Sequence, residues 1–286
     1  MRVENFPAPG AKVSASEFIV TGGGCAANAA VAVARLGGRA AFAGPLGDDN
    51  DHVSKRIVGD LNAEGIDCSG TVRVDGGAAS VSLILLDALG EKTIATRRGV
   101  KLSNVLPADE HGLVADADAV LVDNRFPEFV GAVCRAAVKR NIPVVIDLDQ
   151  ATKVDHPLLA LGTYVVASSE ALRGTTGIDD LGAGLKRLAE HLTGFLAVTD
   201  GPDGIYWLDS GEIRHMAAFK VDAIDTLGAG DAFHGAFAFR LVETGDVIAS
   251  MRFAAAAAAI KCTRFGGLKG APTRTEIDEF LKRQPS

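Results

Sequence analysis

The stretch Asp225-Thr226-Leu227-Gly228-Ala229-Gly230-Asp231-Ala232-Phe233 decides how this chain is read. Its glycines stand where a helix opens, and glycine lets the backbone come close to a bound group. The helical pattern runs from about Ala229 to Glu243 and is stopped by Thr244-Gly245-Asp246, while Val221 to Ile224 reads as a short strand leading in. The free N–H groups of a first helical turn, together with the positive end of the helix dipole, form an anion site. An acidic residue at that point would repel a phosphate that only had to be held. It has a purpose if Asp231 takes a proton from a hydroxyl about to attack that phosphate, because general-base catalysis needs a carboxylate within hydrogen-bond reach of the acceptor. The N–H groups beside it can then stabilise charge on the transferring group. The plainer alternative is a glycine-rich turn with Asp231 as partner of the helix dipole.

Outward from this stretch, the composition sets limits. Of 286 residues, 48% are hydrophobic and 23% charged, which is ordinary globular usage and excludes disorder for the bulk of the chain. The 33 glycines have no period, so a collagen-like structure is excluded as well. With 29 basic against 36 acidic residues the net charge is −7, the wrong sign for a broad nucleic-acid footprint. The longest apolar run, Phe253 to Ile260, is far short of the roughly 20 residues a membrane-spanning helix needs. Met1 to Pro7 carries no signal-peptide pattern. Cys25, Cys68, Cys134 and Cys262 form no CxxC pair, which points to a reducing cytoplasm rather than to disulfides or structural zinc.

Short apolar runs alternate with helical patterns: Ala119–Val122, then a helix from Phe129 to Arg140, Val144–Ile146, Tyr164–Val166 and Phe195–Val198. This alternation predicts βαβ units and a mostly parallel sheet covered on both faces. Asp123, Asp147, Asp149, Ser168, Glu170 and Thr199 follow those strands, where open α/β sheets bind ligands. Each read singly is equally well a helix cap. Thr71–Val74, Ser80–Leu86 and Lys92–Arg97, with turns at Asp75-Gly76-Gly77 and Leu89-Gly90-Glu91, read as one antiparallel unit. Ala254 to Ala259 reads as helix, with small side chains for close packing.

Three motifs in order resemble one family, the ribokinase (PfkB-type) carbohydrate kinases. The Asp-Thr-x-Gly-Ala-Gly-Asp string resembles its C-terminal signature. Gly22-Gly23-Gly24-Cys25-Ala26-Ala27-Asn28, opening a helix to Leu36 and followed by Gly44-Pro45-Leu46-Gly47-Asp48-Asp49, is similar to its N-terminal signature. Val198-Thr199-Asp200-Gly201-Pro202-Asp203-Gly204 is similar to its nucleotide loop. The resemblance covers nearly the whole chain and implies a three-layer α/β core with a small β-sheet lid. The lid would comprise residues 1–20 and 71–100 and the core residues 21–70 and 101–286. It implies transfer of the ATP γ-phosphoryl group to a sugar hydroxyl, with Asp231 as base, the amides of Gly228, Ala229 and Gly230 as anion hole, and Mg²⁺ bridging the phosphates. Thr199, Gly201, Gly204, Asp225 and Thr226 would meet the nucleotide, and Gly23, Gly24 and Asn28 the sugar. A monovalent cation such as K⁺ is expected near Asp225 and the 266–272 loop, and a homodimer through the lid.

The chain departs from the family at three places. It begins with what resembles the segment after the first core strand, so the sheet is expected to lack a strand and one acidic sugar ligand. Ala167-Ser168-Ser169-Glu170 replaces an Asn-x-x-Glu motif, leaving Glu170 as a metal ligand through water. His52 stands where glycine is usual. Ala218–Asp222 and Lys261–Gly267 resemble the sulfofructose-kinase branch, in which Lys12 and Arg125 would meet an anionic sugar head. Arg97 and Arg98 read equally as ligands of a carboxylate. The expected activity is a sugar kinase favouring an anionic ketose or sugar acid; the alternatives are a nucleoside kinase of the same fold and a silent sugar or nucleotide sensor. A dinucleotide oxidoreductase is set aside, because Gly22-Gly23-Gly24 lacks the Gly-x-Gly-x-x-Gly spacing.

Overall fold

The computed structural model describes residues 1–88 and 90–284; Leu89, the first residue of the expected lid turn, lies outside them. Its helices are α1 (Cys25–Arg35), α2 (His52–Ala63), α3 (Glu110–Leu113), α4 (Pro127–Lys139), α5 (Ser169–Thr176), α6 (Leu181–Ala189), α7 (Ala229–Thr244), α8 (Val247–Cys262) and α9 (Arg274–Lys282). Its strands are β1 (Gly44–Gly47), β2 (Thr71–Val74), β3 (Val81–Leu86), β4 (Lys92–Arg97), β5 (Val120–Asp123), β6 (Val144–Leu148), β7 (Tyr164–Ser168), β8 (Phe195–Thr199), β9 (Ile205–Asp209) and β10 (Glu212–Met216).

Wholly apolar strands must be covered on both faces. In the order β10-β9-β8-β7-β6-β5, β5 to β8 run parallel, and β9 against β8 and β10 against β9 add an antiparallel hairpin at one side. The two-residue period of β6 divides it between layers. Val144, Ile146 and Leu148 pack with Phe129 of α4, Leu172 of α5 and Leu185 of α6. Val145 faces the other way, against Phe233 and Phe237 of α7 and Phe253 of α8. The result is the expected three-layer α/β fold. The alanine run is helical, within α8, and packs with α7. The helices α1 and α7 approach so closely that a Cβ on Gly235 would lie 2.5 Å from the Ala29 carbonyl oxygen. Any residue larger than glycine would therefore push the two helices apart.

Two expectations need correction. Val221 to Ile224 is not a strand: the N–H groups of Ile224 and Asp225 donate to the carbonyl of Cys262, at 2.8 and 3.1 Å, instead of to a sheet neighbour. Thr71–Val74 does not join the lid but pairs parallel with Gly44–Gly47, because the turn after it closes on itself through Gly77 N–H to Val74 O, 2.8 Å. The lid is the β3–β4 hairpin, with single bridges from Arg2 to Leu86 and to Glu17. The β9–β10 hairpin was not expected from the sequence, though Ser210-Gly211 after the apolar-aromatic run Ile205–Leu208 is a turn signal.

Candidate active site

The first turn of α7 sits over the carboxyl ends of β6 and β7, and two features of the sequence put it there. Gly228 takes a left-handed conformation (φ 78°) as the residue before the helix, a turn that favours glycine. Three residues after Asp231, the ring of His234 lies 3.2 Å from the Val166 carbonyl and 3.5 Å from Asp147, and its other nitrogen is 2.8 Å from Gly230 O. His234 was not singled out in the sequence; its place one helical turn from Asp231 was the available signal.

Asp231 is largely buried but keeps some exposure, unlike the fully buried Asp225. Asn28, from α1, donates to its carboxylate at 2.5 Å. The Asn28 Oδ1 atom is itself buried with no partner among the described residues. The Sγ of Cys25 and carboxylate oxygens of Asp147 and Asp231 all lie within 4.8 Å of one another. Burial raises the Asp231 pKa above the ordinary carboxylate range, with the Asn28 hydrogen bond opposing it. Asp147 is pushed up further, by burial and by the negative charge of Asp231 and Asp149. Burial and the same three carboxylates push the Cys25 thiol up, so it stays protonated. Burial lowers the His234 pKa.

The amides around this turn are not equivalent. Ala229 N–H donates to Thr226 O at 3.2 Å, so of the three expected anion-hole amides, Gly228 and Gly230 are without a backbone partner among the described residues. Asp225, expected at the nucleotide, is 1% exposed, and its carboxylate is occupied inside the protein. Leu227 N–H donates to Oδ1 at 2.8 Å, Gly266 N–H to Oδ2 at 3.0 Å, and the Lys261 ammonium lies 3.3 Å away. Its side chain is an anchor, not a ligand. Thr226 remains exposed, 3.5 Å from the lid residue Lys92.

Next along the sheet, Thr199 pairs with Ser168, and the 199–204 loop closes through Asp200 N–H to Gly204 O at 2.8 Å. Gly201 is exposed on that loop. Glu170 is exposed in the first turn of α5, and Ser168 is that helix's cap, as the plainer reading had it. Gly23 and Gly24 are exposed before α1, where added side chains would meet open space.

On the opposite flank, Arg125 pairs with Asp149 and lies 3.4 Å from Cys25. With the Gln150 amide oxygen turned toward them, Arg125 Nη1 donates at 2.9 Å and both Arg98 Nη atoms at 3.2 Å. Two guanidinium groups thus meet on one neutral oxygen, and Arg125 Nε is buried with no partner among the described residues. Arg97 instead donates to Ala79 O at 3.2 Å. Lys12 is exposed on the 11–20 segment, and among the described residues no hydrogen bond or ion pair joins it to this cluster. A broad groove of about 750 Å³ along Ala151–Pro157 and Gly174 holds none of these groups.

The family described as pfkB family carbohydrate kinase matches residues 1–274. A ribokinase from Haemophilus influenzae is 30% identical over 98% of this chain and 94% of its own length. An ATP-dependent ribose-1-phosphate kinase from Halopiger xanaduensis is also 30% identical, over 99% of this chain and 94% of its own. A crystal structure of an Agrobacterium tumefaciens protein provisionally named a ribokinase superposes with a TM-score of 0.92 and is 36% identical, covering 99% of this chain and 94% of that one.

Proposed function

Because this chain belongs to the pfkB family of carbohydrate kinases, we propose that it transfers the γ-phosphoryl group of ATP to a hydroxyl of a sugar carrying an anionic group, with Asp231 as general base. The observation that carries the anionic assignment is the meeting of Arg98 and Arg125 on Gln150. Asp149 balances one of the two cations, and no carboxylate balances Arg98 among the described residues. A sulfonate, carboxylate or phosphate would supply the missing charge in place of a neutral amide. A relative named for a phosphosugar supports the same class.

In this reading Asp231 accepts the hydroxyl proton, the oxygen so activated bonds to the γ-phosphorus, and ADP leaves with the electrons of the broken P–O bond. The proton passes from Asp231 to solvent. Asn28 holds Asp231 with its amide N–H and offers its free oxygen to a neighbouring sugar hydroxyl. The amides of Gly228 and Gly230 face the phosphoryl charge. Thr199, Gly201, Gly204 and Thr226 border the nucleotide. Mg²⁺ on the nucleotide supplies neutralising charge, and Glu170, exposed and without a cationic partner among the described residues, would meet it through water. Gly23 and Gly24 border the sugar. The lid hairpin carries exposed apolar side chains on both faces, Val81 and Leu83 on one and Ile94 on the other. A two-stranded sheet is marginal alone, which supports pairing of two copies through it.

The test is ADP release across neutral ketoses, sulfosugars, sugar acids and sugar phosphates. Arg98→Gln should raise KM for the anionic substrate by about 10-fold or more, the size of one lost charge-assisted contact, with kcat little changed. Turnover confined to neutral sugars or nucleosides, unaffected by Arg98→Gln, would contradict the anionic assignment.

A further inference from the structure

The monovalent cation expected near Asp225 does not fit the residues present there. Lys261, in the last turn of α8, is 1% exposed. Its ammonium lies 2.8 Å from Asp225 O, 3.3 Å from Asp225 Oδ2 and 3.4 Å from Arg264 O. An ammonium has three protons to donate, and three oxygens surround it. The chain also closes over the stem of this side chain: a Cβ on Gly270 would stand 3.2 Å from Lys261 Cε. One carboxylate and two carbonyl oxygens between two loops make a place for a single positive charge, and here it is filled from within.

We propose that Lys261 is a built-in cation that takes the place of K⁺, fixing the turn that opens α7 so that nucleotide binding needs no monovalent ion. The geometry shows how. Asp225 links the turn to the loop after α8, through Leu227 N–H on one oxygen and Gly266 N–H on the other. A buried carboxylate in that position must be paired, and Lys261 pairs it covalently tethered, at every salt concentration. The lid's Lys92, 3.5 Å from Thr226 Oγ1, adds a second positive charge nearby that disfavours an additional cation. The signal in the sequence was a lysine directly after an unbroken apolar run, Phe253–Ile260, where a buried side chain is expected.

The inference rests on the kinase reading only in naming a nucleotide as what the turn grips. Its test is therefore doubled: affinity for a non-hydrolysable ATP analogue by calorimetry, and melting temperature without ligand, each in KCl, NaCl and choline chloride at equal ionic strength. Wild-type protein should give the same Kd within about 2-fold and the same melting temperature in all three salts. Lys261→Ala should lose analogue affinity by about 10-fold or more in choline chloride and recover it, with its melting temperature, in KCl or NH₄Cl. A purely structural lysine would show no such ion-specific rescue. Wild-type affinity or melting that rises with K⁺ over choline overturns the proposal without any variant, and so does a Lys261→Ala protein that binds and melts like wild type in choline. Failure of the analogue to bind at all would count against the kinase reading, while the melting comparison would still decide this one.

Discussion

Asp225 and Asp231 bound the same glycine turn, yet their surroundings are opposite. Asp225 is almost wholly buried, with both oxygens taken by backbone amides and a lysine ammonium beside it. Asp231 keeps some exposure, is held by one amide side chain, and is crowded by Asp147 and a protonated thiol. One carboxylate has its charge satisfied and serves as an anchor. The other has its charge left short of partners and its pKa raised, which suits the role of base proposed for it. The difference comes from the elements behind each residue: the end of α8 and its following loop supply cations and donors at one end, and the carboxyl ends of the parallel strands supply more acid at the other.

That contrast can be broken by mutation. Asp225→Ala leaves the Lys261 charge buried and unpaired, and should cost about 3–5 kcal/mol of stability, read by urea denaturation. Asp231→Asn should cost none of that. The pKa of Asp231 is raised on folding, so its ionised form opposes folding. That penalty is absent below roughly pH 4, where the unfolded aspartate is protonated too, and it grows as pH rises toward the folded value. The variant should therefore gain stability on wild type between acid and neutral pH. A smaller effect sharpens the same contrast. If Asp231 is the proposed base, turnover needs it deprotonated, so kcat should fall on the acid side with a midpoint above roughly pH 4, the ordinary aspartate value. A midpoint at or below that value would mean that the burial of Asp231 does not persist in the working complex.

The sequence made the parallel strands and the ends of the glycine turn legible, because each announces itself locally: Val144–Ile146 by an all-apolar run and Asp225–Asp231 by a dense motif. What it hid depends on pairing between distant segments. Thr71–Val74 has the same local pattern whether it pairs with Ser80–Leu86 or with Gly44–Gly47, and only the second occurs. Val221–Ile224 is β-prone, but its N–H groups are met by the end of α8. The functional residues divide in the same way. Asn28 and Asp231 are joined because Gly235 lets α1 and α7 touch. Asp225 was expected to face the nucleotide, and the lysine that turns it inward is 36 positions away. Arg125 was expected from the sequence to meet an anionic sugar head together with Lys12; the cation it meets on Gln150 is Arg98, brought by the lid.

The most direct measurement is made on Asp231→Asn: steady-state turnover and affinity for an ATP analogue, on one preparation. If the carboxylate removes the acceptor's proton while the amides beside it hold the phosphate, turnover should drop by about 10²- to 10⁴-fold with analogue affinity within about 2-fold of wild type. Near-normal turnover in a variant that still binds the analogue would contradict the account.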